Sequence, residues 1–246
     1  MELWATVMAS LVIFTASFFA TVSGFGFALV ATPLLSLFLD TKVAIILVLA
    51  VTLVLRIVTM YRVWGQFDWS SVLLTTAGTS IGVWPGSYAL KYFQLAHLEI
   101  FLGVVLLIAT YLMSKQFHVP IKNKVAGRMG AGVLSGFFGS CTSISGPPLV
   151  LYFLNEKTDK DVMRANMVWI FGLGGFITLF GYYQTGNLAV VEDWNLFLSL
   201  IPATLLGIYF GEKLFYRLNQ HLFRRLSLLI VCFGAIMMLI KGIREF

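Results

Sequence analysis

Hydroxyls, glycines, prolines and a thiol crowd one short stretch of this 246-residue chain, Ser135-Gly-Phe-Phe-Gly-Ser-Cys-Thr-Ser-Ile-Ser-Gly-Pro-Pro148. Gly136, Gly139, Gly146, Pro147 and Pro148 interrupt any helix that tries to run through it. A helix that restarts after such a break exposes several N–H groups and about half a positive charge at its first turn, which suits the oxygens of an anion. Ser140, Thr142, Ser143 and Ser145 place O–H donors beside that break. A sparser version stands nearer the N-terminus: Ser23, Gly24, Phe25, Gly26 and Phe27, then Pro33, with Thr21 and Thr32 as the adjacent hydroxyls. Arg56 is the one charge inside an apolar run, and its planar fork of donors fits sulfonate, sulfite or carboxylate oxygens. Asn166 stands one turn into another apolar run, where it can line the path of an anion.

Every one of these residues also has a plainer role. Glycines let membrane helices approach closely, and hydroxyls bond the preceding turn. Arg56, four residues before Met60, can snorkel to the membrane surface, and Asn166 can cap a neighbouring helix. Gly82-x-x-x-Gly86 and Gly207-x-x-x-Gly211 read as packing faces. Cys141 has no basic neighbour and is expected to be inert unless sulfur compounds reach it. His97, His118 and His221 have no metal-ligand spacing.

Other chemistries have no residues to carry them. No H-E-x-x-H, Ser/His/Asp or Walker A pattern occurs, so the expectation is a protein that is not an enzyme, takes no cofactor and hydrolyses no ATP. All the Asp and Glu residues fall in loops or at the ends of apolar runs, which predicts no buried carboxylate to hold a cation. The expected cargo is therefore a small anion. The expected mode is uniport, with the inside-negative potential driving anions outward.

The elements that position these residues follow from where charge is missing. The chain is 59% hydrophobic and only 11% charged, where a soluble domain carries about a quarter of its residues as charges. This predicts an all-α polytopic membrane protein partnered by the lipid bilayer, and it excludes nucleic-acid binding, disorder and a secreted disulfide scaffold. Residues 1–22 hold no Lys or Arg, and the apolar run continues beyond the length of a signal-peptide core, so it is expected to be retained. Val43–Met60, Trp69–Leu90, Leu98–Met113, Ala165–Tyr183, Trp194–Gly211 and Phe223–Ile240 each read as one helix. Two charge-free stretches do not, Leu3–Leu39 and Met129–Asn155. The second is too long for one crossing and too short for two, as a helix that enters, breaks and returns would be. About 8–10 membrane segments result in all. Most of the 17 Lys and Arg fall in the loops around Arg62, Lys115–Arg128, Lys157–Arg164 and Lys213–Arg225, while Lys42, Lys91, Lys241 and Arg244 fall on the alternate side. The richer side is cytoplasmic, which puts both termini outside.

Self-comparison finds an internal repeat. Ser23-Gly24-Phe25 recurs as Ser135-Gly136-Phe137, and Pro33-Leu34 as Pro148-Leu149. Ala44 and Gly65 match Ala165 and Gly186, while Asp68-Trp69, Gly82 and Gly86 match Asp193-Trp194, Gly207 and Gly211. Residues 1–116 and 117–246 are thus read as two transmembrane repeats, each a broken or re-entrant pair followed by three helices. The charge rule makes the two copies inverted in topology.

Two copies of a Gly- and Phe-containing break followed by Pro and an aliphatic helix, in a chain of this length, resemble the sulfite exporter TauE/SafE family of membrane permeases. The resemblance covers nearly the whole chain. It implies a multi-pass permease of the plasma membrane, the inner membrane of a bacterium, that moves sulfite or organosulfonates such as sulfoacetate. A carrier of this kind would hold its anion near the midplane between the two breaks and rock the inverted copies around it. The competing readings are an anion channel and the membrane subunit of a sulfur-metabolising complex, and a homo-oligomer is left open.

Overall fold

The computed structural model describes residues 3–23, 26–115, 123–191, 194–215 and 220–244. Over those residues the chain is helical, without strands: α1 (Leu3–Ser23), α2 (Phe27–Leu35), α3 (Thr41–Arg62), α4 (Trp69–Tyr92), α5 (Leu95–Lys115), α6 (Lys124–Thr142), α7 (Gly146–Asn155), α8 (Lys160–Thr185), α9 (Asn195–Phe215) and α10 (Gln220–Arg244), with a short 3₁₀ turn at Asn187–Val190. Among the described residues, two helices are long and apolar enough to cross a bilayer unaided, Thr41–Arg62 and Asp161–Thr185. Each run expected to be a single helix lies on one, α3, α4, α5, α8, α9 or α10. On several helices the outward residues are apolar, as with Leu73, Ile81, Trp84 and Tyr88 of α4 or Phe176, Phe180 and Tyr183 of α8. Apolar side chains on exposed faces fit a lipid surrounding and cost free energy in water.

Both long charge-free stretches break where glycine or a left-handed residue allows it. α1 gives way to α2 through Gly26 at φ 101°, and α6 ends on Ser143 at φ 63°. The short limbs then turn back along the long ones. Ser145 packs against Gly139 and its carbonyl accepts the Ser135 hydroxyl at 2.9 Å. Tyr152, further along α7, donates its O–H to the Lys124 carbonyl at the start of α6. In the first pair, the Phe38 ring just beyond α2 lies 6.4 Å from the Trp4 ring at the head of α1. With 9 and 10 residues, α2 and α7 are about 14–15 Å long, half the hydrocarbon thickness.

The chain forms two compact units, and each draws on both halves of the sequence. One comprises Met1–Leu55, Phe93–Thr110 and Val190–Phe246; the other comprises Arg56–Tyr92 and Tyr111–Ala189. In the first unit α9 lies on α1, with Gly207 against the Phe14 carbonyl and Ser17, and Gly211 against the Phe18 carbonyl and Thr21. In the second, α4 lies on α6, with Gly78, Gly82 and Gly86 facing Met129, Val133, Phe137 and Ser140, and Gly132 and Gly136 facing Thr75 and Thr79. At these points one helix has no β-carbon, which lets its backbone reach the backbone of the other.

One sequence match is corrected by this packing. Ser23-Gly24-Phe25 stands at the α1–α2 break, but Ser135-Gly136-Phe137 lies within α6, about two turns before its end. Gly136 is glycine because the Thr79 backbone of α4 occupies the space of its β-carbon. Element boundaries align differently: Ser23 and Thr142, Phe27 and Gly146, and Thr41 and Lys160 are each separated by 119 positions. The boundary drawn at residues 116 and 117 lies outside the described residues.

Glycine position decides tolerance here. A β-carbon at Gly82 would meet the Val133 carbonyl and the Phe137 amide, whereas one at Gly130 on α6 meets nothing within 4 Å. Gly82→Val is expected to cost about 1–3 kcal/mol or more, since backbone cannot repack, and Gly130→Ala to be neutral or to gain up to about 1 kcal/mol. Thermal denaturation of both variants in detergent checks this; equal midpoints would place the α4–α6 contact elsewhere.

Candidate functional site

The tip of the α6–α7 hairpin gathers most of the hydroxyl-bearing residues. Ser140 is fully buried, and its hydroxyl donates to the Gly136 carbonyl one turn back at 2.8 Å, with the Val83 carbonyl of α4 at 3.0 Å. Its own carbonyl accepts the Tyr182 O–H from α8 at 2.6 Å. The Thr142 hydroxyl donates to the Phe138 carbonyl at 2.7 Å and accepts the Ile144 N–H at 3.3 Å. The Ser143 N–H closes the turn on the Gly139 carbonyl. Cys141 is a buried free thiol. These contacts hold the tip in one shape, because the groups they join find their partners inside the protein.

The two helix starts differ in what they offer. Gly146 and Pro147 open α7, and Pro147 and Pro148 have no N–H. Of the four amides normally left open at a helix start, α7 therefore keeps those of Gly146 and Leu149, fewer than the sequence pattern implied. Pro33 lies in the middle of α2, so the first-turn amides of Phe27, Ala28 and Leu29 are intact. Gly24 and Phe25 lie outside the described residues, as does the side chain of Ser23.

Arg56 and Asn166 stand apart from the tip. Arg56 is 3% exposed, and its guanidinium carbon sits 4.9 Å from the centre of the Phe171 ring on α8. It is held by protein instead of reaching for the membrane surface. Phe171 and Tyr182 are 11 positions apart on α8, about 16 Å along the helix, so Arg56 and Ser140 approach α8 at well-separated levels. The Asn166 carbonyl oxygen accepts the Asp68 N–H at 2.8 Å, which ties α8 to the start of α4. Arg56, over Phe171, and Asn166, bonded to Asp68, thus both stand along α8 away from the Tyr182 level of the tip residues.

Two charged clusters escaped the sequence pattern. Arg128 on α6 reaches Glu156 at 3.2 Å, Asp68 at 3.5 Å and the Ser70 hydroxyl at 3.1 Å. Asp68 also accepts the Ser70 and Ser71 N–H groups and so caps α4. Partial burial pushes the Asp68 carboxyl up, but hydrogen bonds from Ser71 and Ser70 and the Arg128 charge outweigh it and hold the group below its usual value. The second cluster corrects an expectation. Glu99, at the end of its apolar run, is fully buried and pairs with Lys241 at 2.7 Å. Its partner lies at the far end of the chain, and no local pattern announces it.

Apolar outer faces, small and polar residues turned inward, and interrupted hairpins define a helical membrane protein of the class that includes carriers and channels. The profile of the sulfite exporter TauE/SafE family matches residues 9–238, and the chain belongs to that family. No curated protein and no solved structure matches it. The family assignment makes this chain a membrane exporter-type transporter.

The Asp68 carboxyl titrates lower in the folded chain than in the unfolded one, so its contribution to stability is present above about pH 4 and fades as pH falls through the folded value. Asp68→Asn keeps a helix-capping oxygen but loses the charge. The melting difference between wild type and Asp68→Asn is expected to be constant from neutral pH to about pH 5 and to shrink below about pH 4. A difference unchanged to lower pH would mean that the hydrogen bonds and the Arg128 charge around Asp68 favour its ionised form no more in the folded chain than in the unfolded one.

Proposed function

We propose that this protein is a secondary transporter that moves small sulfur-containing anions, sulfite or organosulfonates such as sulfoacetate, across the plasma membrane by alternating access. The observation that carries this reading is the pair of broken hairpins. Each places a helix start and a reversed backbone within an otherwise apolar segment, an arrangement that membrane carriers use at substrate sites. The constant separation of 119 positions across both breaks supports two copies of one unit. Gly207 and Gly211 on α9 repeat the part played by Gly82 and Gly86 on α4, which supports the same repeat.

Each unit brings its own candidate anion ligands: in one, the first-turn amides of α2 with Ser23, Gly24, Phe25 and Gly26 before them; in the other, the tip residues Gly139 to Gly146 and, at a separate level of α8, Arg56. Arg56 brings the positive charge. Held over Phe171 it has lost much of its hydration, and a partly dehydrated guanidinium favours a diffuse oxyanion such as a sulfonate. The positive-inside distribution of Lys and Arg supports a multi-pass topology with both termini outside, in the inner membrane of a bacterium.

Tracer flux of sulfite and sulfoacetate into proteoliposomes, with and without an imposed potential, tests the reading. Saturable flux competed by unlabelled anion supports a carrier; unsaturable flux with a measurable single-channel current would make the protein a channel instead. Arg56→Gln is expected to lower flux by about tenfold or more, and Arg56→Lys to restore little, because an ammonium cannot present a planar fork over a ring. Near-normal flux in Arg56→Gln would reassign Arg56 to structure.

A further inference from the structure

The first compact unit holds a buried charge that anion binding does not use. Glu99, one turn into α5, presents Oε1 to the Lys241 ammonium of α10 at 2.7 Å and to the Thr41 hydroxyl of α3 at 2.6 Å. Lys241 also donates to the Ser36 carbonyl at the end of α2 at 3.0 Å. Three helices therefore meet at one carboxylate oxygen, and Lys241 ties the end of α2 to them. The other oxygen, Oε2, is buried and has no hydrogen-bond partner among the described residues. Beside the pair α5 and α10 approach closely, with Gly242 against Ala96 and Ile100 and Gly103 against Leu239.

We propose that Glu99 Oε2 is a proton-binding site, and that its occupancy couples proton movement to transport by releasing α10 from α5. This rests on the transporter reading and supplies its coupling ion. A buried carboxylate oxygen without a donor is costly, and the pair persists only while the ammonium compensates the charge. A metal cation would need several further oxygens and would face the Lys241 ammonium, whereas a proton needs Oε2 alone. The step is simple in balance: one proton adds to Oε2, and the ion pair becomes a neutral acid and an ammonium. Lys241, with 28% of its side chain exposed, then keeps Ser36 and turns to water.

The charged or titratable groups nearest in sequence to Glu99 and its partners are His97 on α5, Asp40 and Lys42 on either side of Thr41, and Arg244 on α10. The Asp40 carboxylate accepts the Lys42 and Val43 N–H groups and so caps α3.

Infrared difference spectra of the purified protein in lipid, between acid and alkaline pH, decide the site. A protonated-carboxyl C=O band that titrates in wild type and disappears in Glu99→Gln is the expected result. Glu99→Gln/Lys241→Met, which removes charge and counter-charge together, is the companion should the single variant fold poorly. A spectrum with the same titrating bands in wild type and variants overturns the proposal. Coupling is read in proteoliposomes with the potential clamped to zero and sulfoacetate, ionised throughout neutral pH, as the probe. One coupled proton shifts steady-state accumulation by about tenfold per pH unit of imposed gradient, and Glu99→Gln is expected to abolish that shift. Wild-type accumulation indifferent to the gradient overturns the coupling. Wild type that carries no sulfoacetate counts against the anion reading and takes the coupling with it, while the infrared band still decides whether Glu99 binds a proton.

Discussion

A backbone amide or carbonyl without a partner costs several kcal/mol in hydrocarbon, roughly the stability margin of a domain. Both hairpins must meet that constraint at their tips, where helical hydrogen bonding stops. In the α6–α7 tip the Ser143 N–H returns to Gly139, Thr142 spans the turn with its hydroxyl, and Tyr182 comes from α8 to cover the Ser140 carbonyl. Ser135 does the same for the carbonyl of Ser145. The α6–α7 break thus draws partners from α4 and α8, and glycine lines the contacts by which those helices come close.

Helix positions were legible because charge in a membrane chain is confined to segment ends, so the gaps between charges measure the helices. The breaks were legible because Gly26, Gly146 and the Pro147-Pro148 pair are poor helix residues. Other features depend on contacts that sequence proximity does not encode. The shared Ser-Gly-Phe triplet misaligned the copies, because Gly136 is selected by the Thr79 backbone and not by the turn. Asn166 finds its partner 98 residues away, and Glu99 finds Lys241 at the other end of the chain. A carboxylate near a span end looks solvated until the opposing helix is known.

The placement of charge follows one rule inside each unit. Arg56 is buried against an aromatic face and Glu99 against an ammonium. Each was bound to be costly if left alone, and each is met by a group suited to its charge: a π face for a weakly hydrated guanidinium, a point cation for a carboxylate. Buried charges in membrane helices are retained where something uses them.

The glycines of α4 recur every fourth position, at 78, 82 and 86, and those of α6 at 132 and 136. A ladder with a period near one helical turn fits itself again after a slide of about 5.4 Å. Smooth contact of this sort gives closeness without registration. Registration must come from side chains at the two ends: Ser140, lodged in the gap at Gly86 and bonded toward Val83, and Arg128, which grips Asp68 and Ser70. The α4–α6 pair is built as a rail with a stop at each end.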